Sequence, residues 1–234
     1  MAAHGVRTLY VETGNSRSSS AINDAAGLET FIRQAHARGM QVVAWYLPDM
    51  TDASTDYDRI AQAIGFRTSD GQKFDSFALD IESSAINSES ARNRALSQLS
   101  ARIRALVGAS YPLGAIIPSP AGLARKLGYW DDFPYAALAR TYDVFVPMSY
   151  YTYHTKTSSG AYADTLANVR IIRAQSGCSA IPIHLIGGVA EDSSAAQLQS
   201  FVKAAVETRC IGASFYGWAG TTAAHWSALT PIKP

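Results

Sequence analysis

Two carboxylates, Asp80 and Glu82, stand two residues apart in the segment "FALDIES" (77–83), interleaved with Phe77, Leu79 and Ile81. A run this apolar reads as a buried strand, where a charge costs several kcal/mol unless it is paired or used. Side chains alternate along a strand, so Ala78, Asp80 and Glu82 share one face and the bulky apolar set takes the other. Two carboxylates this close cannot both ionise cheaply. One pKa rises, and a protonated acid stands ready near neutral pH, which is the arrangement general acid catalysis needs. An isolated D-x-E is as often a solvated strand-end pair or a helix cap. The elements around it decide between these readings.

Strand-like runs recur along the chain: "VRTLYVE" (6–12), "MQVVAWYL" (40–47), "FDSFALDIE" (74–82), "LGAIIP" (113–118), "YDVFVPMSY" (142–150), "IPIHLIG" (181–187) and "GASFYGW" (212–218). Between them, apolar residues recur at helical spacing. Leu28, Phe31, Ile32 and Ala35 form one face before Gly39. Leu96, Leu99, Ile103 and Leu106 form another before Gly108, and Leu198, Phe201, Val202 and Ala205 a third. Several strands are nearly continuous apolar runs, as a parallel sheet covered by helices requires.

The length of 234 residues, 47% of them hydrophobic, fits one large single-core domain over 1–234. Seven β-units predict an α/β fold of the (β/α)8 TIM-type barrel class with one strand unseen. "MAAHG" reads as the last turn of a helix ending on a glycine cap, so the first strand is expected upstream or trimmed away. A doubly wound sheet would need a glycine-rich phosphate loop after its first strand, and no G-x-G-x-x-G is found there.

In a barrel the acids face the lumen at the C-terminal end of their strand, where barrel active sites are built. Other strand ends carry aromatic groups. "VPMSYYTY" places Met148 and Tyr150 on one face with Tyr151 and Tyr153 beyond; "SFYGW" places Ser214, Tyr216 and Trp218 together; "VVAWYLPD" ends on Trp45, Tyr46 and Asp49. Each aromatic alone is more often core than subsite. Rings clustered around two acids suit a sugar, whose C–H faces pack on them while its hydroxyls find polar partners.

These segments resemble glycoside hydrolase family 18, the chitinase family. "FDSFALDIE" is similar to the signature D-G-x-D-x-D-x-E, with Asp75 at the first Asp, Asp80 at the third and Glu82 at the terminal Glu. Ser76 replaces the Gly and Ala78 the middle Asp. "PMSYY" resembles the family's M-[ST]-Y-D strand, with Tyr151 in place of its Asp, and "GASFYGW" the last strand ending in Trp. These motifs fall on the family's fourth, sixth and eighth strands, here visible strands three, five and seven. The resemblance implies substrate-assisted hydrolysis of an N-acetylhexosamine polymer, chitin-like or peptidoglycan-like. Glu82 is then the general acid, Asp80 orients the N-acetyl group and holds Glu82's proton, and Tyr150 bonds the acetamide carbonyl. Trp218, Tyr216, Met148, Trp45, Asp49, Glu12 and Tyr151 are the expected substrate contacts. Ala78 and Tyr151 depart from the pattern and keep a non-catalytic carbohydrate-binding barrel open as the alternative.

Barrel glycosidases can also draw a second acid from another strand. Glu12 and Asp49 are the candidates at strand ends, with Glu191 or Asp192 after "IGGVA"; Asp52, Asp56 and Asp192 itself read rather as helix caps or solvated loop acids. The five histidines show no ligand spacing, so neither metal nor cofactor is expected. A formal net charge of +1 gives no electrostatic case for nucleic acid, and no apolar run approaches the ~20 residues needed to span a membrane. The expected partner is a polysaccharide or oligosaccharide bound by a monomer. Cys178 and Cys210 each precede one of two consecutive strands, so a disulfide is within reach. That points to a secreted or cell-wall-associated protein whose leader is absent from this chain, with a cytoplasmic location as the alternative.

Overall fold

The computed structural model describes residues 1–126 and 128–232. A short 3₁₀ turn, Ala2–His4, ends on Gly5 at φ 78°, the glycine-capped turn expected of "MAAHG". Seven strands follow: β1 (Thr8–Asn15), β2 (Gln41–Leu47), β3 (Ser76–Asp80), β4 (Leu113–Pro118), β5 (Val144–Met148), β6 (His184–Val189) and β7 (Gly212–Tyr216). They pair in parallel in sequence order. The intervening helices are α1 (Ala25–His36), α2 (Ala53–Gly65), α3 (Glu89–Val107), α4 (Pro120–Arg125), α5 (Tyr135–Leu138), α6 (Tyr151–His154), α7 (Ser158–Gln175), α8 (Ala195–Glu207) and α9 (Ala223–Leu229). This is an α/β fold of the TIM-barrel type. Among the described residues β7 and β1 share no ladder, so the sheet is curled without being closed by hydrogen bonds.

Alternation along the strands separates two apolar layers. Phe77, Leu79 and Ile81 join Val42, Ala44, Tyr46, Leu113, Ala115, Ile117, Phe145 and Leu185 in the core between sheet and helices. Val43, Ala78, Ile116, Val146 and Met148 form a smaller cluster inside the curl, flanked by Tyr10, Trp45, Tyr150 and Ile186. Across that lumen the rings of Tyr10 on β1 and His184 on β6 lie 5.3 Å apart. Gly114 permits the close strand packing here, since a Cβ on it would sit 3.1 Å from that of Ala78.

Loops at the C-terminal ends of the strands hand over to helices through side-chain caps. Asp24, Asp52, Ser88, Ser119 and Thr157 each accept from a backbone N–H of the helix they precede, and Ser194 forms a capping box with Gln197. Asp52 is thus a cap, as expected. The predicted helix faces are buried except at Phe31, which is partly buried against the core, and Leu106, which is 45% exposed.

The disulfide does not form: Cys178 is an exposed free thiol and Cys210 a buried one. Cys210 lies two residues before β7 with its Sγ 3.4 Å from Thr208 Oγ1. Cys178 lies six residues before β6, at the surface turn that follows α7. The unequal lead-in to the two strands separates two thiols that the sequence places side by side. No described helix is long and apolar enough to cross a membrane.

Candidate active site

The lumen's apolar cluster is the floor on which the two acids sit. Register places Glu12, Trp45 and Ala78 side by side on β1, β2 and β3. Asp80, two residues up from Ala78, pairs with Ile116 of β4. The Asp80 carboxyl is therefore held over Ala78 and Ile116 rather than over polar groups. It is only 6% exposed, and its Oδ1 is buried without a hydrogen-bond partner. Burial is the main reason its pKa is pushed up to about 8, with the charges of Glu82 and then Glu12 adding to the rise. Glu82 lies two residues past the end of β3, half-buried, and burial raises its pKa as well. The pair thus retains a proton at neutral pH, and that proton belongs to the two groups together.

Two tyrosines close over the pair. The Tyr129 hydroxyl donates to the backbone carbonyl of Glu82. Burial, and next the Glu82 charge, raises its own pKa. Tyr150 follows β5 in the left-handed region at φ 36°, a conformation that costs a residue with a Cβ about 1 kcal/mol or more. The turn rotates its ring inward, where it meets Tyr153 and Tyr216 edge-on at 5.7 Å each. Burial chiefly, then the charges of Tyr216, Asp80 and Glu82, holds its hydroxyl protonated well above the usual range. It is a neutral donor placed among acids.

The remaining predicted residues divide by location. Met148 is 8% exposed in the lumen cluster, and Trp45 flanks that cluster. Glu12 shares the lumen, where its Oε1 accepts from Asn15 Nδ2 at 2.8 Å. Tyr216 and Trp218 stand at the mouth, 57% and 74% exposed, with Tyr153 beside them at 69%. The strand ends thus present an open aromatic rim around a buried acid pair.

Two predicted contacts are placed elsewhere. Tyr151 is fully buried between sheet and helices, stacked on Phe201, with its hydroxyl donating to Ser193 Oγ at 3.0 Å. Strand alternation ends at Met148 and α6 begins at Tyr151, so the side chain follows helical geometry into the outer layer. Gly188 leaves room for it, since a Cβ there would lie 2.8 Å from the Tyr151 ring. Asp49 spends its Oδ1 on the backbone N–H and hydroxyl of Thr51, at 2.9 and 2.7 Å, a local turn leading into α2. Asp75, which matches the first acid of the signature, lies below β3. Its Oδ2 takes bonds from His36 Nε2 at 2.9 Å and Val42 N at 2.7 Å, tying α1 and β2 to β3.

His184 is a hydrogen-bonded lumen residue, its Nε2 3.1 Å from Ser214 Oγ, and burial drops its pKa to about 4, so the ring is neutral. Tyr129 is the site residue that sequence reasoning missed. Its position in "GYW", after a strand end and a short helix, is the only local signal.

No family model matches the sequence, and no curated protein matches it. Solved structures do. A chitinase from Chromobacterium violaceum superposes with a TM-score of 0.70 at 11% identity, over 97% of this chain and 91% of that one. The spore cortex-lytic enzyme SleL of Bacillus cereus gives 0.69 at 10% identity, over 98% of this chain and 74% of that one. A chitinase from Rhizomucor miehei gives 0.64 at 14% identity, over 97% and 99%. A fungal β-1,4-galactanase matches as well, at 0.64 and 11% identity over 99% and 89%. The chain shares the TIM-barrel-type fold of these proteins, and its acid pair lies at the C-terminal end of β3.

Proposed function

We propose that this protein is a glycoside hydrolase that cleaves an N-acetylhexosamine-containing polysaccharide, chitin-like or peptidoglycan-like, with Glu82 as general acid. The observation that carries the reading is the proton-holding pair of Asp80 and Glu82 at the C-terminal end of β3, beneath an aromatic rim. Glu82 is the more open of the two, so it delivers the proton to the glycosidic oxygen as the bond to the anomeric carbon breaks. The substrate's own acetamide oxygen then bonds to that carbon, and water later displaces it. Asp80 faces the acetamide N–H, and Glu82 takes back a proton from the attacking water, which restores the acid for the next cycle. The Tyr150 hydroxyl, kept protonated by its surroundings, donates to the acetamide carbonyl. Tyr216 and Trp218 offer their rings to the sugar faces.

A non-catalytic carbohydrate-binding barrel is the second reading. Ala78 favours it, because the apolar floor gives Asp80 no polar partner through which to pass a proton.

Reducing-end release from a panel of N-acetylated and non-acetylated polysaccharides separates the two, with wild type beside Glu82→Gln. Hydrolysis predicts release by wild type from the N-acetylated polymers and none by the variant. Saturable binding by both proteins with no release by either favours the binding module. Release by both moves the acid elsewhere, with Glu12 next.

A further inference from the structure

Beside the acid pair, on the β4 side of the mouth, lies a recess of about 360 Å³ that the reaction above does not use. That is within the range of small-ligand sites. Ser119, Gly122, Arg125, Lys126, Tyr129 and His154 line it, and a second recess of about 390 Å³ shares its Arg125 and His154. Gly122 keeps the floor open. A Cβ there would sit 3.2 Å from Ser119 Cβ and 3.4 Å from His154 Nε2.

The recess is built on a buried carboxylate. Asp164 of α7, with its side chain 4% exposed, takes Arg125 Nη2 at 2.6 Å and His154 Nδ1 at 3.0 Å on one oxygen. Its other oxygen takes Asn168 Nδ2 at 3.1 Å. Asn168 Oδ1 in turn accepts from Ser119 Oγ at 2.9 Å. Arg125 is thereby held at one corner while its side chain stays 52% exposed. Lys126 makes no ion pair among the described residues, and its Nζ lies 5.3 Å from the Tyr129 ring centroid. One acid thus stands against two cations, Arg125 held by it and Lys126 over the Tyr129 ring, and the recess keeps a net positive charge.

Tyr129 is the shared wall: Lys126 lies over its ring, and its hydroxyl donates to Glu82. The mouth is therefore bipolar. Glu12 and the Asp80–Glu82 pair, which keeps one proton between its two carboxyls, make one end negative, and Arg125 with Lys126 makes the neighbouring end positive. A glycan lying across it is repelled from the first end wherever it bears an anion and is held there by the second. Resting on the glycan reading above, we propose that the recess is a subsite for an anionic substituent on a sugar next to the one that is cleaved. The substituent is a carboxylate or a sulfate ester, met by the Arg125 guanidinium and the Lys126 ammonium, and it fixes which way the chain lies.

The test is binding calorimetry on Glu82→Gln, which removes turnover from the readout. The probes are an oligosaccharide of alternating uronic acid and N-acetylhexosamine, its carboxyl-reduced form, and that reduced form carrying sulfate esters. The expected result is a preference of about five- to thirtyfold for an anionic form over the neutral one. It weakens with added salt and falls to about threefold or less when Arg125→Gln and Lys126→Ala are added. Whether the carboxylated or the sulfated probe binds more tightly identifies the substituent. Equal Kd for the neutral and both anionic probes on Glu82→Gln alone overturns the proposal, and so does a preference that survives the two substitutions in a folded variant. Anion preference without hydrolysis by wild type sinks only the hydrolase reading; hydrolysis without anion preference sinks only this one.

Discussion

Asp80→Asn removes the carboxyl whose proton the apolar lumen holds, and the structure sets the size and sign of the effect. In the folded protein the group keeps its proton up to about pH 8, whereas an ordinary Asp releases it near 3.8. Between those values the native state binds more protons than the unfolded chain, so stability declines as pH rises through that window and levels off above it. Asn resembles the protonated acid and has no proton to lose. The variant and the wild type should therefore match below about pH 4 and diverge as pH rises, with the variant the more stable. At about 1.4 kcal/mol for each pH unit, the ceiling is roughly 5–6 kcal/mol. Water entering through the open mouth reduces this to about 2–4 kcal/mol. Urea unfolding of both proteins at about pH 4, 6 and 9 measures it. Parallel stability curves, or a gap that narrows as pH rises, would show that the floor of Ala78, Ile116 and Val146 is not what holds the proton.

Tyr150→Phe deletes the neutral donor while keeping the ring that packs on Tyr153 and Tyr216, so kcat should fall by about ten- to a hundredfold with little change in Tm. Trp218→Ala removes a ring that is 74% exposed; oligosaccharide affinity should drop by about five- to thirtyfold, read by calorimetry, with the melting temperature unchanged. Tyr151→Ala opens a cavity in the outer core and should cost about 3–5 kcal/mol in urea unfolding. Tyr151→Phe keeps the buried ring and loses the hydroxyl's bond to Ser193, and should cost about 1 kcal/mol.

The parts legible in the sequence are those governed by short-range periodicity. Alternation in "FALDIE" already separates Ala78 and Asp80 from Phe77, Leu79 and Ile81, and the structure divides them between lumen and outer layer in the same way. The α8 face of Leu198, Phe201, Val202 and Ala205 is fully buried as the spacing predicts. What the sequence conceals depends on where one period gives way to another, or on contacts distant in the chain. Tyr151 reads as a strand-end residue until it is known that α6 starts there. Cys178 and Cys210 read as neighbours until the lead-in to β6 proves longer than that to β7. Asp49 looks available until Thr51 claims its oxygen. Tyr129 reaches Glu82 across 47 residues, and Arg125 reaches Asp164 across 39, separations at which no local pattern announces a contact.

The most direct test of the central claim is kcat/KM for an N-acetylhexosamine oligosaccharide from about pH 5 to about pH 10, wild type beside Glu82→Gln. Free-enzyme ionisations govern this parameter. If the Asp80–Glu82 pair supplies the catalytic proton, the wild-type rate falls as pH rises through about 8, where the pair gives that proton up. Glu82→Gln is then slower by about a hundred- to ten-thousandfold across the range. A wild-type rate that stays level to pH 10, or a variant that keeps most of the activity, contradicts the account.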